Sequence, residues 1–203
     1  MYKYNNLNYE SEALINLLSL KSIDIEKEYG MLYLNKLNSL LNLNNYDYRY
    51  TKEELINHID IFPLDIRADI LYNLGGVLNH ESFINSINGD FVLNNEITRE
   101  LIKEYGSISN FKNTFKNTAF NLVGSGHTYL VIDRYNKFNI INLSNEEVPY
   151  SFGFIPIITL DLWEHAYFLE YRADRGKYID NFFKIIDFRK INTRYEKFLK
   201  ANK

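Results

Sequence analysis

The hydrophobic pattern changes period part-way along this 203-residue chain, and that change restricts the fold more than any single residue does. From Ser11 to about Asn42, apolar residues recur at helical spacing: Leu14, Leu17, Leu18, Ile23, Ile25, Met31, Leu32, Leu34, Leu37, Leu40 and Leu41. One long helix accounts for them, with Gly30 as the place for a kink. Thr51-Lys52-Glu53-Glu54 is a capping signature that opens a short helix through Asp60. Pro63 then starts a long helix from Leu64 to about Ser86. After Asn88-Gly89-Asp90, residues 94–105 and 109–121 read as two further helices, the second capped by Ser109. There the period drops to that of strands. Tyr129–Asp133 and Phe138–Leu143 flank the turn Arg134-Tyr135-Asn136-Lys137 as a β-hairpin, and Phe154–Leu160 reads as a buried third strand. Helical segments run from Trp163 to Leu199. The expected class is α+β: a domain over residues 1–88 built as an antiparallel hairpin of two long helices, then an α/β domain over 89–203 with a three-stranded antiparallel sheet.

Composition excludes several functions. The chain has no cysteine, so disulfides, thiolate ligands and thiol catalysis are ruled out. A formal net charge of −3 offers no basic face for nucleic acid, so no nucleic-acid partner is expected. No apolar run reaches the roughly 18–20 residues needed to cross a bilayer, so no membrane association is expected. The first residues, Met1-Tyr2-Lys3-Tyr4-Asn5-Asn6, have neither a charged segment with an apolar core nor an Arg/Ser-rich leader. A cytoplasmic protein is the expectation.

The third strand runs into Asp161-Leu162-Trp163-Glu164-His165-Ala166-Tyr167. A carboxylate and an imidazole four residues apart can face the same way once the chain turns helical, and together they can share a metal ion. The plainer alternative makes Asp161 a helix N-cap and His165 a packing residue. The chain has four histidines, His58, His80, His127 and His165. His58 sits among the polar residues of the short helix and reads as a surface side chain. His80 follows Asn79 on the second long helix, and Gly75-Gly76 lie one turn before it.

These stretches resemble those of the iron/manganese superoxide dismutases. The resemblance rests on Asp161–Tyr167, on Gly75-Gly76-Val77-Leu78-Asn79-His80, and on the passage from Tyr105-Gly106 through Phe111-Lys112 to Gly124-Ser125-Gly126. Leu7-Asn8-Tyr9 near the start and Arg175-Gly176-Lys177-Tyr178-Ile179 near the end extend it over nearly the whole chain. It implies one manganese or iron ion per chain, held by three histidines and an aspartate. His80, Asp161 and His165 match three of those four ligands. It further implies superoxide as substrate, a homodimer, Tyr33 as the gateway tyrosine that relays protons, Trp163 packed beside the site, and Glu164 orienting a ligand across the dimer.

The chain departs from the family's pattern at the first ligand. The corresponding stretch, Ser22 to Tyr33, has no histidine. Aligned from its N-terminal side it places Glu26 in the ligand position. Aligned back from Tyr33 it places Ile25 there, because the segment is one residue short. In the first case a carboxylate oxygen replaces an imidazole nitrogen, which iron and manganese both accept. In the second the position is lost and the ion is poorly held. Glu146 stands where manganese enzymes keep a glutamine beside the metal-bound solvent. Gly76 stands where iron enzymes keep theirs, so the arrangement leans to manganese. An ionised Glu146 would favour the oxidised ion, and a protonated one would imitate the amide. His127 replaces a pocket-lining tryptophan, as a packing residue or as a substitute ligand. Phe168 replaces a tyrosine that hydrogen-bonds across the family's dimer interface. Two readings therefore follow: an active metal-dependent superoxide dismutase, or a relative that kept the fold as a structural or interaction protein and lost the chemistry.

Overall fold

The computed structural model describes residues 1–5, 17–87 and 95–201. The stretch Leu7-Asn8-Tyr9, the start of the first helix at Ser11 and the linker Asn88-Gly89-Asp90 lie outside the described residues. Helix α1 spans Leu20–Leu43 and opens where the Ser19 side chain accepts from Ser22 N–H. Its buried side is a helical stripe: Ser22, Ile23, Glu26, Gly30, Leu34, Leu37, Asn38 and Leu41. The helix runs unbroken through Gly30. A Cβ there would stand 2.5 Å from the ring of Tyr4, so the glycine makes room for the N-terminal segment and does not mark an end of the helix.

Helix α2, Lys52–Asn57, carries the expected capping box between Thr51 and Glu54, and a 3-10 turn at Ile59–Ile61 completes the stretch read as one helix. Helix α3, Leu64–Ser86, packs along α1 to form the helical hairpin. Helices α4, Glu96–Tyr105, and α5, Ile108–Phe120, follow. Ser107, and not Ser109, caps α5, accepting from Asn110 N–H at 3.0 Å.

The sheet has three antiparallel strands in the order β2-β1-β3, with β1 at Gly126–Ile132, β2 at Phe138–Ser144 and β3 at Ile155–Asp161. Every residue of the central strand β1 is buried, which is why its polar start, His127-Thr128, belongs to the sheet. In the β1–β3 register His127 stands opposite Asp161, so the two side chains leave the sheet on one face as neighbours. The chain ends in α6, Glu164–Tyr171, α7, Arg175–Phe182, and α8, Phe188–Ala201. One apolar cluster sits within the helical hairpin around Leu37, Leu41, Leu55 and Leu74. A larger one joins both long helices to the sheet and the C-terminal helices through Ile23, Phe83, Leu160, Phe182 and Phe188. Among the described residues no helix is long and apolar enough to cross a membrane.

Two glycines set the distance between α3 and its neighbours. A Cβ on Gly75 would overlap the backbone carbonyl of Glu146, and one on Gly76 would overlap the ring of Tyr33. Since a backbone carbonyl cannot swing aside, Gly75→Ala is expected to cost about 2–3 kcal/mol as an overpacked contact. For a chain of this size that lowers Tm by about 5–10 °C in a thermal melt.

Candidate metal centre

Four side chains from four elements converge between the helical hairpin and the sheet. Glu26 comes from the buried stripe of α1, His80 from α3, Asp161 from the last residue of β3 and His165 from the first turn of α6. One ligand atom from each lies within 4.8 Å of all the others. His165 Nε2 stands 3.6 Å from Asp161 Oδ2 and 3.7 Å from Glu26 Oε1, and His80 Nδ1 stands 2.8 Å from Glu26 Oε2. Glu26, His80 and Asp161 are at most 2 % exposed.

The free atoms of this group all belong to the convergence. Glu26 Oε1, His80 Nε2, Asp161 Oδ2 and His165 Nε2 are buried without a hydrogen-bond partner. Two buried carboxylate oxygens left bare would cost several kcal/mol unless positive charge sits among them, from a protonated His165 or from a bound cation. Two imidazole nitrogens and two carboxylate oxygens form a donor set that suits manganese or iron. The residues present therefore fit such an ion.

The local field has the same sign. Burial opposes charge on His165, but the Asp161 carboxylate, with Glu26 and Glu146 beyond it, outweighs burial and holds the imidazole's pKa up to about 9. Burial likewise resists ionisation of Asp161, but His127 and His165 outweigh it and hold this carboxyl well below the usual carboxylate range.

Asp161 does not cap α6. Trp163 occupies the N-cap position, and Asp161, still in the strand, accepts from Trp163 N–H at 2.7 Å through Oδ1. That bond turns Oδ2 toward the histidines. Glu26 rather than Ile25 reaches the centre because seven residues, close to two full helical turns, separate it from Tyr33. Ile25 instead lines a surface depression of about 420 Å³ with Glu28, Tyr29, Glu164, His165, Phe168 and Leu169. His127 is fully buried beside the group, its Nε2 3.3 Å from Asp161 Oδ2 and its Nδ1 3.1 Å from the Asn145 carbonyl. It is not among the four converging residues.

Around the four lies a second ring of contacts. Tyr33 donates through Oη to Glu146 Oε1 at 3.0 Å, and Asn79 Nδ2 donates to Glu146 Oε2 at 3.0 Å. Tyr129 in turn donates to Asn79 Oδ1 at 2.7 Å. Burial, then the Glu146 charge, pushes the Tyr33 phenol well above its ordinary pKa. Trp163 packs over His165 at 6.0 Å between ring centroids and points its indole N–H at the Asn145 carbonyl. Glu164 is turned outward, where Ser125 Oγ donates to it at 3.1 Å. His58 lies apart, stacked on Tyr50 at 3.9 Å.

Sequence reasoning had no role for Asn79, Tyr129 or the stacking of Tyr29 on His165 at 4.3 Å. A polar residue directly before a buried ligand candidate was the available signal for Asn79. The other two depend on packing across elements.

Comparison with known proteins agrees with this geometry. The family model described as iron/manganese superoxide dismutases, C-terminal domain, matches residues 93–194. The superoxide dismutases [Mn/Fe] 2 of Staphylococcus aureus strains bovine RF122 / ET3-1, Mu50 / ATCC 700699 and N315 are each 28% identical over 196 residues. Those alignments cover 96% of this chain and 98% of each relative. With strand, helices and converging side chains in the family's order, the chain belongs to the iron/manganese superoxide dismutases.

Proposed function

We propose that this protein is a metal-dependent superoxide dismutase whose ion is held by Glu26, His80, Asp161 and His165. The observation that carries the reading is the convergence of four buried, unpartnered ligand atoms from those residues. When bound there, manganese or iron supplies one-electron chemistry between +2 and +3, by which two superoxide ions and two protons become dioxygen and hydrogen peroxide. The chain's own residues handle access and protons. Small anions reach His165 through the depression lined by Tyr29 and Phe168. Tyr33 keeps its phenolic proton at neutral pH, because burial and Glu146 oppose its ionisation, and so it remains a donor to the reduced substrate. Glu146 fixes the Tyr33 hydroxyl, and the Asn79–Tyr129 pair fixes Glu146. His127 and Trp163 close the far side and hold Asp161 in place. Manganese is the favoured ion, since Gly76 leaves room only for the ring of Tyr33 where iron enzymes of the family carry a glutamine.

The protein acts as a homodimer in this reading. Tyr29, Phe168 and Leu169 are 38–46 % exposed around the opening to His165, and Glu164 stands at its rim, with Ser125 on one carboxylate oxygen and the other turned to orient a ligand histidine of a second copy.

One observation favours a second reading, that of a relative holding an ion with little turnover. Glu26, Asp161 and Glu146 place three buried carboxylates around one site, and that charge favours the oxidised ion. Bound manganese and iron per chain, measured with superoxide consumption on one purified sample, separate the two. Near-stoichiometric metal with turnover is expected. Full metal with no turnover would select the second reading, and a chain that takes up no metal and shows no turnover would leave a relative that kept the fold for structure or interaction.

Metal uptake has a pH signature. His165 must release the proton it holds up to about 9 before Nε2 can ligate. The apparent affinity for Mn²⁺ should therefore rise about tenfold per pH unit through neutrality and level off near 9. An affinity independent of pH in titration calorimetry would place His165 outside the shell.

A further inference from the structure

We propose that Glu26 holds two parts of the metal site at once: Oε1 ligates the ion while Oε2 accepts the Nδ1–H of His80 and fixes that ring for ligation. This rests on the metal-site reading above and adds a positioning role that a histidine at this place in α1 would not perform in the same way.

His80 Nδ1 lies 2.8 Å from Glu26 Oε2, with both residues buried. With the Glu26 carboxylate ionised, as its ligation of a cation requires, an Nδ1 lone pair would set two acceptors against each other at hydrogen-bond distance. The proton therefore sits on Nδ1 and is donated to the carboxylate. Nε2 is then the lone-pair nitrogen, and it is the buried atom of His80 with no partner. A protonated Nε2 would leave a buried N–H unsatisfied, which the surroundings do not offset. The other oxygen, Glu26 Oε1, is equally buried and bare, and it faces His165 Nε2 at 3.7 Å. The two oxygens thus have different tasks. A metal-ligating histidine commonly gives its second N–H to a carboxylate beyond the shell, which sets the tautomer and raises ligand basicity. Here the orienting carboxylate is itself one of the converging ligands. Since Glu26 is on α1 and His80 on α3, the contact also ties the two long helices together at the ion.

Glutamine separates this dual role from simple ligation, because its amide has one acceptor oxygen and can serve the ion or His80 but not both. The test uses full-length protein, loaded with Zn²⁺ as a diamagnetic probe for NMR and titrated with Mn²⁺ for affinity. In ¹⁵N-histidine spectra the wild type should show a downfield, slowly exchanging Nδ1–H for His80, and the chain's four histidines keep the spectrum assignable. E26Q should shift or lose that resonance and weaken Mn²⁺ binding about 10–100-fold, the usual effect of removing an orienting partner. E26D, too short to span both atoms, should behave like E26Q; if E26Q does not fold, E26D and the wild-type spectrum carry the test. A wild-type spectrum without a protected His80 Nδ1–H would overturn the proposal. So would E26Q or E26D with an unmoved resonance and wild-type affinity. A protein with bound metal and the His80 resonance but no turnover would defeat the dismutase reading and leave this one standing.

Discussion

Glu26→His is expected to raise the midpoint potential of the manganese-loaded protein by about 0.2 V. The substitution exchanges an anionic ligand for a neutral one. A unit charge about 3 Å from the ion, at an effective dielectric near 20, changes the balance between the +2 and +3 states by about 5–6 kcal/mol. For a one-electron couple that is about 240 mV. The sign follows from the charge: a carboxylate stabilises the +3 ion more than the +2 ion, and removing it makes reduction easier. Dismutation needs the couple poised between two half-reactions, so a site carrying this extra carboxylate should be slow where superoxide reduces the oxidised ion. Glu26→His should speed that half-reaction selectively. It should at the same time weaken Mn²⁺ binding, since the His80 Nδ1–H loses its acceptor. Redox titration with mediators and pulse measurements of each half-reaction would report both effects. A potential unmoved within about 50 mV would take Glu26 out of the ion's shell, for at ligand distance no plausible screening hides a unit charge so completely.

The place of Glu26 shows how far the sequence could be read. In the structure Ile23, Glu26, Gly30, Leu34, Leu37 and Leu41 step along α1 at three- and four-residue intervals as a buried stripe, whereas the apolar pattern of the sequence counted Ile25 and passed over the charged Glu26. The shortened segment obscured this, because the family's spacing pointed to Glu26 when aligned from the N-terminal side and to Ile25 when aligned back from Tyr33, whereas two helical turns back from Tyr33 point to Glu26. Helix existence, order and class were carried by periodicity, and the corrections fall at the ends. Ser107 displaces Ser109 as the cap of α5, and Gly30 interrupts nothing. What the sequence could not supply was cross-strand register. His127 meets Asp161 only because β1 and β3 align them as partners, and Asp161 serves the centre from a strand end, not from a helix. The Tyr129–Asn79–Glu146 chain was hidden for the same reason, since its members come from β1, α3 and the loop after β2.

That chain makes Glu146→Gln the second large test, and the network dictates its outcome. Both oxygens of Glu146 are acceptors, one from Tyr33 Oη and one from Asn79 Nδ2. Asn79 accepts from the Tyr129 hydroxyl at its Oδ1, and that hydroxyl also lies 3.2 Å from the Glu147 carbonyl. The surroundings are thus matched to a carboxylate, and an imitation of glutamine by a protonated acid is not needed to satisfy them. Glutamine would set its amide N–H₂ against Asn79 Nδ2, or turn it toward Tyr33 and take away that hydroxyl's acceptor. The first arrangement strands a buried donor, at a cost of about 1–3 kcal/mol, and the second leaves the half-buried Tyr33 hydroxyl without its present acceptor. The electrostatic effect is separate. A unit charge about 5 Å from the ion is worth about 3 kcal/mol at the same effective dielectric, or about 140 mV. Glu146→Gln should therefore lower Tm by a few degrees while raising the potential, two changes of opposite use to a dismutase. Asn79→Asp with Glu146→Gln should restore part of the stability, because the new carboxylate accepts from the amide and from Tyr129, and it should return part of the negative charge. If Glu146→Gln left both Tm and potential where they were, the carboxylate would be a passive neighbour of Tyr33, and the charge of this site would rest on Glu26 and Asp161 alone.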